Sequence, residues 1–154
     1  MSALPLSNHY QNAYVTRDLD RALELFRTRY GFDGFNRYEV QFELETRSGR
    51  GTAAVKLALG WLDNLQYEII QPVSGRVDVY REGVSDEHLL RFHHVCMRVH
   101  DWERFRAELD QPVILSGGTP GHLQWVYVDA RDTLGHYLEY CWMTPQRWEA
   151  MGGR

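Results

Sequence analysis

Residues 18–21 (Asp-Leu-Asp-Arg) and residues 101–104 (Asp-Trp-Glu-Arg) are one phrase written twice, 83 positions apart. Each opens on an aspartate, a residue whose side chain caps helix N-termini. After Asp18, the residues Leu19, Ala22, Leu23, Leu25 and Phe26 fall on one helical face, and Gly31 stands where a C-cap glycine belongs. Gln11 and His94 each stand seven residues before the capping aspartate. Working outward from the two phrases, the same order of elements emerges twice. The first copy reads as a strand at 9–16, a helix at 18–30, and strands at 35–46, 52–61 and 65–71, the last stopped by Pro72. The second reads as a strand at 92–99, a helix at 101–110, and strands at 112–116, 122–130 and 136–142. Residues 117–121, Gly-Gly-Thr-Pro-Gly, read as a hairpin loop or flexible lid. Thr144 followed by Pro145 starts a last short helix.

The expected fold class is therefore α+β. The repeat gives two tandem strand-helix-strand-strand-strand modules, and analogy of topology makes of them a curved, mixed sheet that encloses a cleft. The 154 residues make one domain of two repeats: a first module at 9–72, a linker at 73–90, a second module at 91–143, and a C-terminal helix and tail at 144–154. Net charge is −4, so no basic footprint draws the chain to nucleic acid or anionic membrane. Two cysteines, Cys96 and Cys141, do not build a disulfide scaffold, and no apolar run approaches a membrane span. The N-terminus carries no secretory pattern, so a cytoplasmic protein is expected.

Three stretches carry a resemblance: Tyr67-Glu68-Ile69-Ile70-Gln71-Pro72, Phe92-His93-His94-Val95, and Asp132-Thr133-Leu134-Gly135-His136-Tyr137-Leu138-Glu139. With them the chain resembles the vicinal oxygen chelate superfamily, which includes glyoxalase I, bleomycin-resistance proteins and extradiol dioxygenases. The Glu68 stretch is most similar to the methylmalonyl-CoA epimerase branch. The resemblance implies one metal ligand from the first and last strand of each module: Gln11, Glu68, His94 and Glu139. His9 competes with Gln11 for the first position. An imidazole, two carboxylates and an amide oxygen suit Zn, Ni, Co, Mn or Mg. A carboxylate inside the apolar runs around Glu68 and Glu139 needs a partner there.

The reading that follows is a metal-dependent isomerase, epimerase or lyase of the glyoxalase type. It works through an enolate or enediolate, with Glu139 and Glu68 as proton-moving carboxylates. An extradiol-type dioxygenase and a non-catalytic small-molecule binding protein are the alternatives. Cys96 and Arg98 share the strand face of His94 and line the cleft, as do Trp61, Trp125 and Tyr127. His93 faces away as an ordinary core histidine. A small-molecule substrate is expected, with glutathione and CoA both open. A homodimer is also expected, because family members pair and sheet edges need covering. Whether the metal site lies within one chain or between chains stays open.

Overall fold

Both aspartates of the repeated phrase cap helices. Asp18 accepts a hydrogen bond from the backbone N–H of Arg21, and Asp101 from that of Arg104, each at 3.1 Å. The computed structural model describes residues 3–154. The elements are β1 (His9–Thr16), α1 (Leu19–Tyr30), β2 (Asn36–Thr46), β3 (Gly49–Leu62), β4 (Leu65–Gly75), α2 (Asp78–Arg81), β5 (Leu90–Arg98), α3 (Trp102–Glu108), β6 (Val113–Thr119), β7 (Leu123–Ala130), β8 (His136–Met143) and α4 (Pro145–Ala150). The order of strands and helices in β1–β4 is repeated in β5–β8. The second hairpin is the shorter one: β6 and β7 have 7 and 8 residues where β2 and β3 have 11 and 14.

The fold is mixed α+β, and its eight strands form one curved sheet. The sheet closes in the order β1-β4-β3-β2-β6-β7-β8-β5, with β5 returning to β1. In each half the first and last strand pair in parallel, β1 with β4 and β5 with β8. The halves meet along two antiparallel seams. The β1–β5 seam is long; the β2–β6 seam joins only Leu44–Thr46 to Leu115–Gly117. α1 buries Leu19, Ala22 and Phe26 against Ala58 and Ile69 of the sheet, and Gly31 closes the helix at φ 68°. α3 does the same with Trp102 against Val126 and Tyr140. No helix of the described residues is long and apolar enough to cross a membrane.

Three expectations change. β4 does not stop at Pro72 but runs on to Gly75. The register slips there, Val55 opposing Pro72 and Ala54 opposing Ser74, so Val73 is the extra residue of a bulge directly beside the proline. The glycine-rich stretch is a hairpin turn only at Pro120 and Gly121; Gly117, Gly118 and Thr119 are strand and pair with Trp125, Gln124 and Leu123 of β7. It therefore offers neither a lid nor a phosphate cradle. The edge argument for a dimer also loses most of its premise, because the strands close on one another. The longest segment paired on one side alone is Asn36–Glu43 of β2, among the described residues.

Candidate functional site

The site grows out of the β1–β5 seam, where the register slips twice. One slip leaves Tyr10 as an extra residue between the pairs His9–Met97 and Gln11–Cys96. The other leaves His93 extra, between Ala13–His94 and Tyr14–Phe92. Tyr10 and His93 are equivalent under the 83-residue repeat, and each stands directly before an expected ligand. A bulge breaks strict alternation and re-aims side chains. Tyr10, Gln11, His93 and His94 are accordingly all buried, at 7%, 6%, 3% and 0% exposure. The carboxylates arrive on the parallel ladders. Glu68 of β4 stands opposite Ala13, and Glu139 of β8 opposite Cys96. Ala13 and Cys96 lie two residues beyond Gln11 and His94, so the repeat extends to the carboxylates as well. Their small, fully buried side chains leave room beside each glutamate.

Glu68, His94 and Glu139 converge, with one ligand atom from each lying within 4.8 Å of the others. His94 Nε2 is 2.8 Å from Glu139 Oε2 and 3.5 Å from Glu68 Oε2. Neither oxygen lies in line with the ring nitrogen, so Nε2 has no hydrogen-bond partner despite the short approach. Burial alone would depress the His94 imidazole, but contact with Glu139 and Glu68 outweighs it and pushes the pKa up to about 9. Burial raises the Glu68 carboxyl above its ordinary value; His94 pulls it down, and Glu139 adds to the rise. Gln11 donates its amide N–H to Gln66 Oε1 at 2.8 Å. That fixes the amide and leaves Gln11 Oε1 buried without a partner.

These residues fit a divalent cation. Two ligands of a common zinc ion, each about 2.1 Å from it, stand roughly 3.0–3.4 Å apart, close to the spacings around His94 Nε2. The donor set is hard to borderline, and its two carboxylates and orphaned amide oxygen all favour positive charge.

Gln11, Gln66, Glu68 and Glu139 line a cavity of about 570 Å³. Its other walls are largely apolar, with Val40, Phe42, Leu57 and Trp125 among them. The Tyr80 and Tyr127 hydroxyls enter it 3.2 Å apart, and burial pushes both well above the usual phenol range. Arg147, from α4, is its cation.

Other expectations fare less well. His9 is exposed and hydrogen-bonded to Asn12 Oδ1 at 2.8 Å, because the Tyr10 bulge removes it from the face of Gln11. Arg98 does not enter the cavity; its guanidinium lies 4.1 Å from the centre of the Trp148 ring. Cys96 is fully buried against Tyr10, behind the lining. Trp61 packs on Tyr10 and Trp148 instead of facing the cavity, whereas Trp125 and Tyr127 do line it. His93 does not face away: its Nδ1 is 2.8 Å from His94 Nδ1. Glu68, His94 and Glu139 meet inside the sheet that this chain closes on itself.

Sequence reasoning passed over Gln66, Tyr80 and Arg147. Gln66 carried a signal, since it stands two residues before Glu68 on the same strand face. Tyr80 and Arg147 sit on short helical segments whose placement no periodicity reveals.

A family model described as Glyoxalase/Bleomycin resistance protein/Dioxygenase superfamily matches residues 10–121. The chain belongs to this superfamily. The matched residues include Gln11, Glu68 and His94 and stop short of Glu139. No curated protein matches the sequence significantly. Among solved structures, methylmalonyl-CoA epimerase from Mycobacterium tuberculosis is similar at 16% identity and TM-score 0.55, covering 97% of each chain. A Streptomyces coelicolor methylmalonyl-CoA epimerase variant in complex with 2-nitronate-propionyl-CoA is similar at 15% identity and TM-score 0.59, covering 92% of this chain and 97% of that one. A methylmalonyl-CoA epimerase in complex with methylmalonyl-CoA and NH4+ is similar at 18% identity and TM-score 0.55, with the same coverage. At these identities the likeness shows the fold.

Proposed function

We propose that this superfamily member is an isomerase, epimerase or lyase. It moves a carbon-bound proton beside a substrate carbonyl, at a divalent cation held by Gln11, Glu68, His94 and Glu139. The observation that carries the proposal is the meeting of two repeat-equivalent carboxylates at one buried imidazole. When bound, the cation supplies Lewis-acid stabilisation of negative charge developing on a substrate oxygen, worth several kcal/mol. The protein does the rest. One carboxylate takes the proton from carbon, and the C–H electron pair passes into the carbonyl system. The same carboxylate, or the other one, then returns the proton. The strands fix both carboxylates in place, so little orientational freedom is lost at the reacting carbon. The apolar walls hold the substrate body and exclude water.

A ring-cleaving dioxygenase asks for two histidines and a carboxylate at one ion. Among the described residues only His94 turns a free ring nitrogen to the carboxylates, since His9 is exposed and His93 spends Nδ1 on His94.

The test is proton exchange, followed by NMR in deuterated water. The panel comprises 2-substituted acyl-CoA thioesters, which are the ligands seen in the solved epimerases, 2-oxoaldehyde–thiol adducts and 2-hydroxy carbonyl compounds. Deuterium uptake into one class is expected. Glu139→Gln or Glu68→Gln should slow it on the order of 10²–10⁴-fold, the usual contribution of a positioned base. Uptake unchanged in both variants removes the glutamates from the chemistry. Tight binding of an apolar ligand without any exchange makes the protein a binder.

A further inference from the structure

The histidine behind His94 is the residue whose placement departs furthest from simple alternation. The bulge in β5 leaves His93 as the unpaired residue, and its ring turns inward rather than away from the site. The ring is packed on both sides, with centroids 5.3 Å from Tyr80 and 4.9 Å from Tyr137. Gly83 closes over it. A Cβ at Gly83 would stand 3.3 Å from His93 Cδ2 and 3.0 Å from Val15 Cγ2, so any larger residue there would press on the ring.

The hydrogen-bond chain has one consistent direction. His93 Nε2 lies 2.8 Å from the carbonyl oxygen of Val79, which can only accept, so that nitrogen carries hydrogen. With its hydrogen on Nε2, the His93 imidazole keeps Nδ1 as the ring nitrogen that accepts. The 2.8 Å gap between the two Nδ1 atoms is then bridged by the proton of His94. His94 holds its Nδ1–H in this bond and has only Nε2 to offer toward Glu68 and Glu139.

We propose that His93 is a positioning residue: by accepting the Nδ1 proton of His94, it makes Nε2 the nitrogen that a cation meets and locks the ring's angle to the two carboxylates. The inference rests on the metal reading above. Partners of this kind normally are carboxylates or backbone carbonyls. Here a second histidine takes that part and passes the bond on to Val79, at the start of the segment that also delivers Tyr80. The segment between β4 and β5 is thereby tied to the metal centre through two side chains.

The experiment uses the full chain with zinc as probe, in competition with a chromophoric chelator, alongside NMR of protein labelled with 15N-histidine. In the zinc-loaded wild type, His94 should show a protonated Nδ1 protected from solvent and a bare Nε2. His93→Phe keeps the ring volume but accepts nothing. It should weaken zinc 10–100-fold, the usual loss for such partners, and release the Nδ1 proton to rapid exchange. His93→Asn places Oδ1 where Nδ1 stood, and should restore most of the affinity and the protection. A purely structural role does not produce that rescue. A proton on Nε2 with zinc on Nδ1 in the wild type, or zinc bound as tightly by His93→Phe, overturns the inference while the metal reading stands. A wild type that takes up no zinc overturns the metal reading, and the inference with it.

Discussion

Gly117 and Trp125 show how much a single residue decides here. They face each other across β6 and β7, and a Cβ at Gly117 would run into the indole. The missing side chain lets the Trp125 ring lie along the strand, edge-on to Phe42 at 5.7 Å, as part of the cavity wall. Gly117→Ala should push the indole out of place and cost about 1–3 kcal/mol, the range for overpacking. A denaturation midpoint at the wild-type value, with unchanged tryptophan fluorescence, would contradict this. At this scale the meeting of Glu68, His94 and Glu139 was legible, because the resemblance points to those three positions without knowledge of their contacts. His9 was misplaced because period-two alternation was carried across a residue where it breaks, whereas Arg98 keeps the register of β5 and its long side chain leaves the site for a ring. The Tyr10 bulge turns His9 to solvent, and Arg98, near the end of β5, finds the face of Trp148. His93 was misjudged by the same assumption.

Among the elements, α4 depends most on its neighbours. Six residues are too few to hold a helix unaided. Thr144 caps it, accepting from the backbone N–H of Arg147, and Pro145 opens it. The rest is tertiary: Trp148 packs edge-on against Tyr10 at 5.0 Å and Trp61 at 5.8 Å, and Trp61 Nε1 donates to the Met151 carbonyl at 2.6 Å. Tyr10 is the bulged residue beside Gln11, so this cluster braces the first ligand. Trp148→Ala should lower stability by about 1–3 kcal/mol and weaken zinc binding in parallel. Loss of stability with zinc affinity untouched would separate α4 from the site. The cap and proline made this helix readable in the sequence; the surface it packs on was not. Strand ends were hardest to place, since Pro72 and Gly117–Thr119 carry loop chemistry but sit in ladders that the neighbouring strands complete.

At the scale of the whole molecule, the closed sheet places two carboxylates and an imidazole in one interior, and this has a consequence for pH. In the metal-free protein His94 is raised from 6.5 to about 9, so its contribution to stability is full below pH 6.5 and is lost as pH rises through about 9. Melting temperature in the presence of chelator should therefore fall across that window. With zinc present the fall should shrink, because the cation takes the place of the proton and binds better as the ligands deprotonate. A metal-free melting temperature that is flat or rising between those limits would contradict the charge arrangement. The two modules were readable from the repeat and their cleft-forming arrangement by analogy, but closure through the short β2–β6 seam was not, because three residue pairs leave no mark in hydropathy. The central claim is that one cation sits within one chain, between the two halves. Anomalous diffraction at the zinc edge, from crystals grown with zinc, tests it most directly. One peak per chain is expected, about 2.0–2.2 Å from Gln11 Oε1, His94 Nε2 and an oxygen each of Glu68 and Glu139. An empty site at full zinc loading, or a peak held elsewhere, for instance by Cys96 and Cys141, would contradict it.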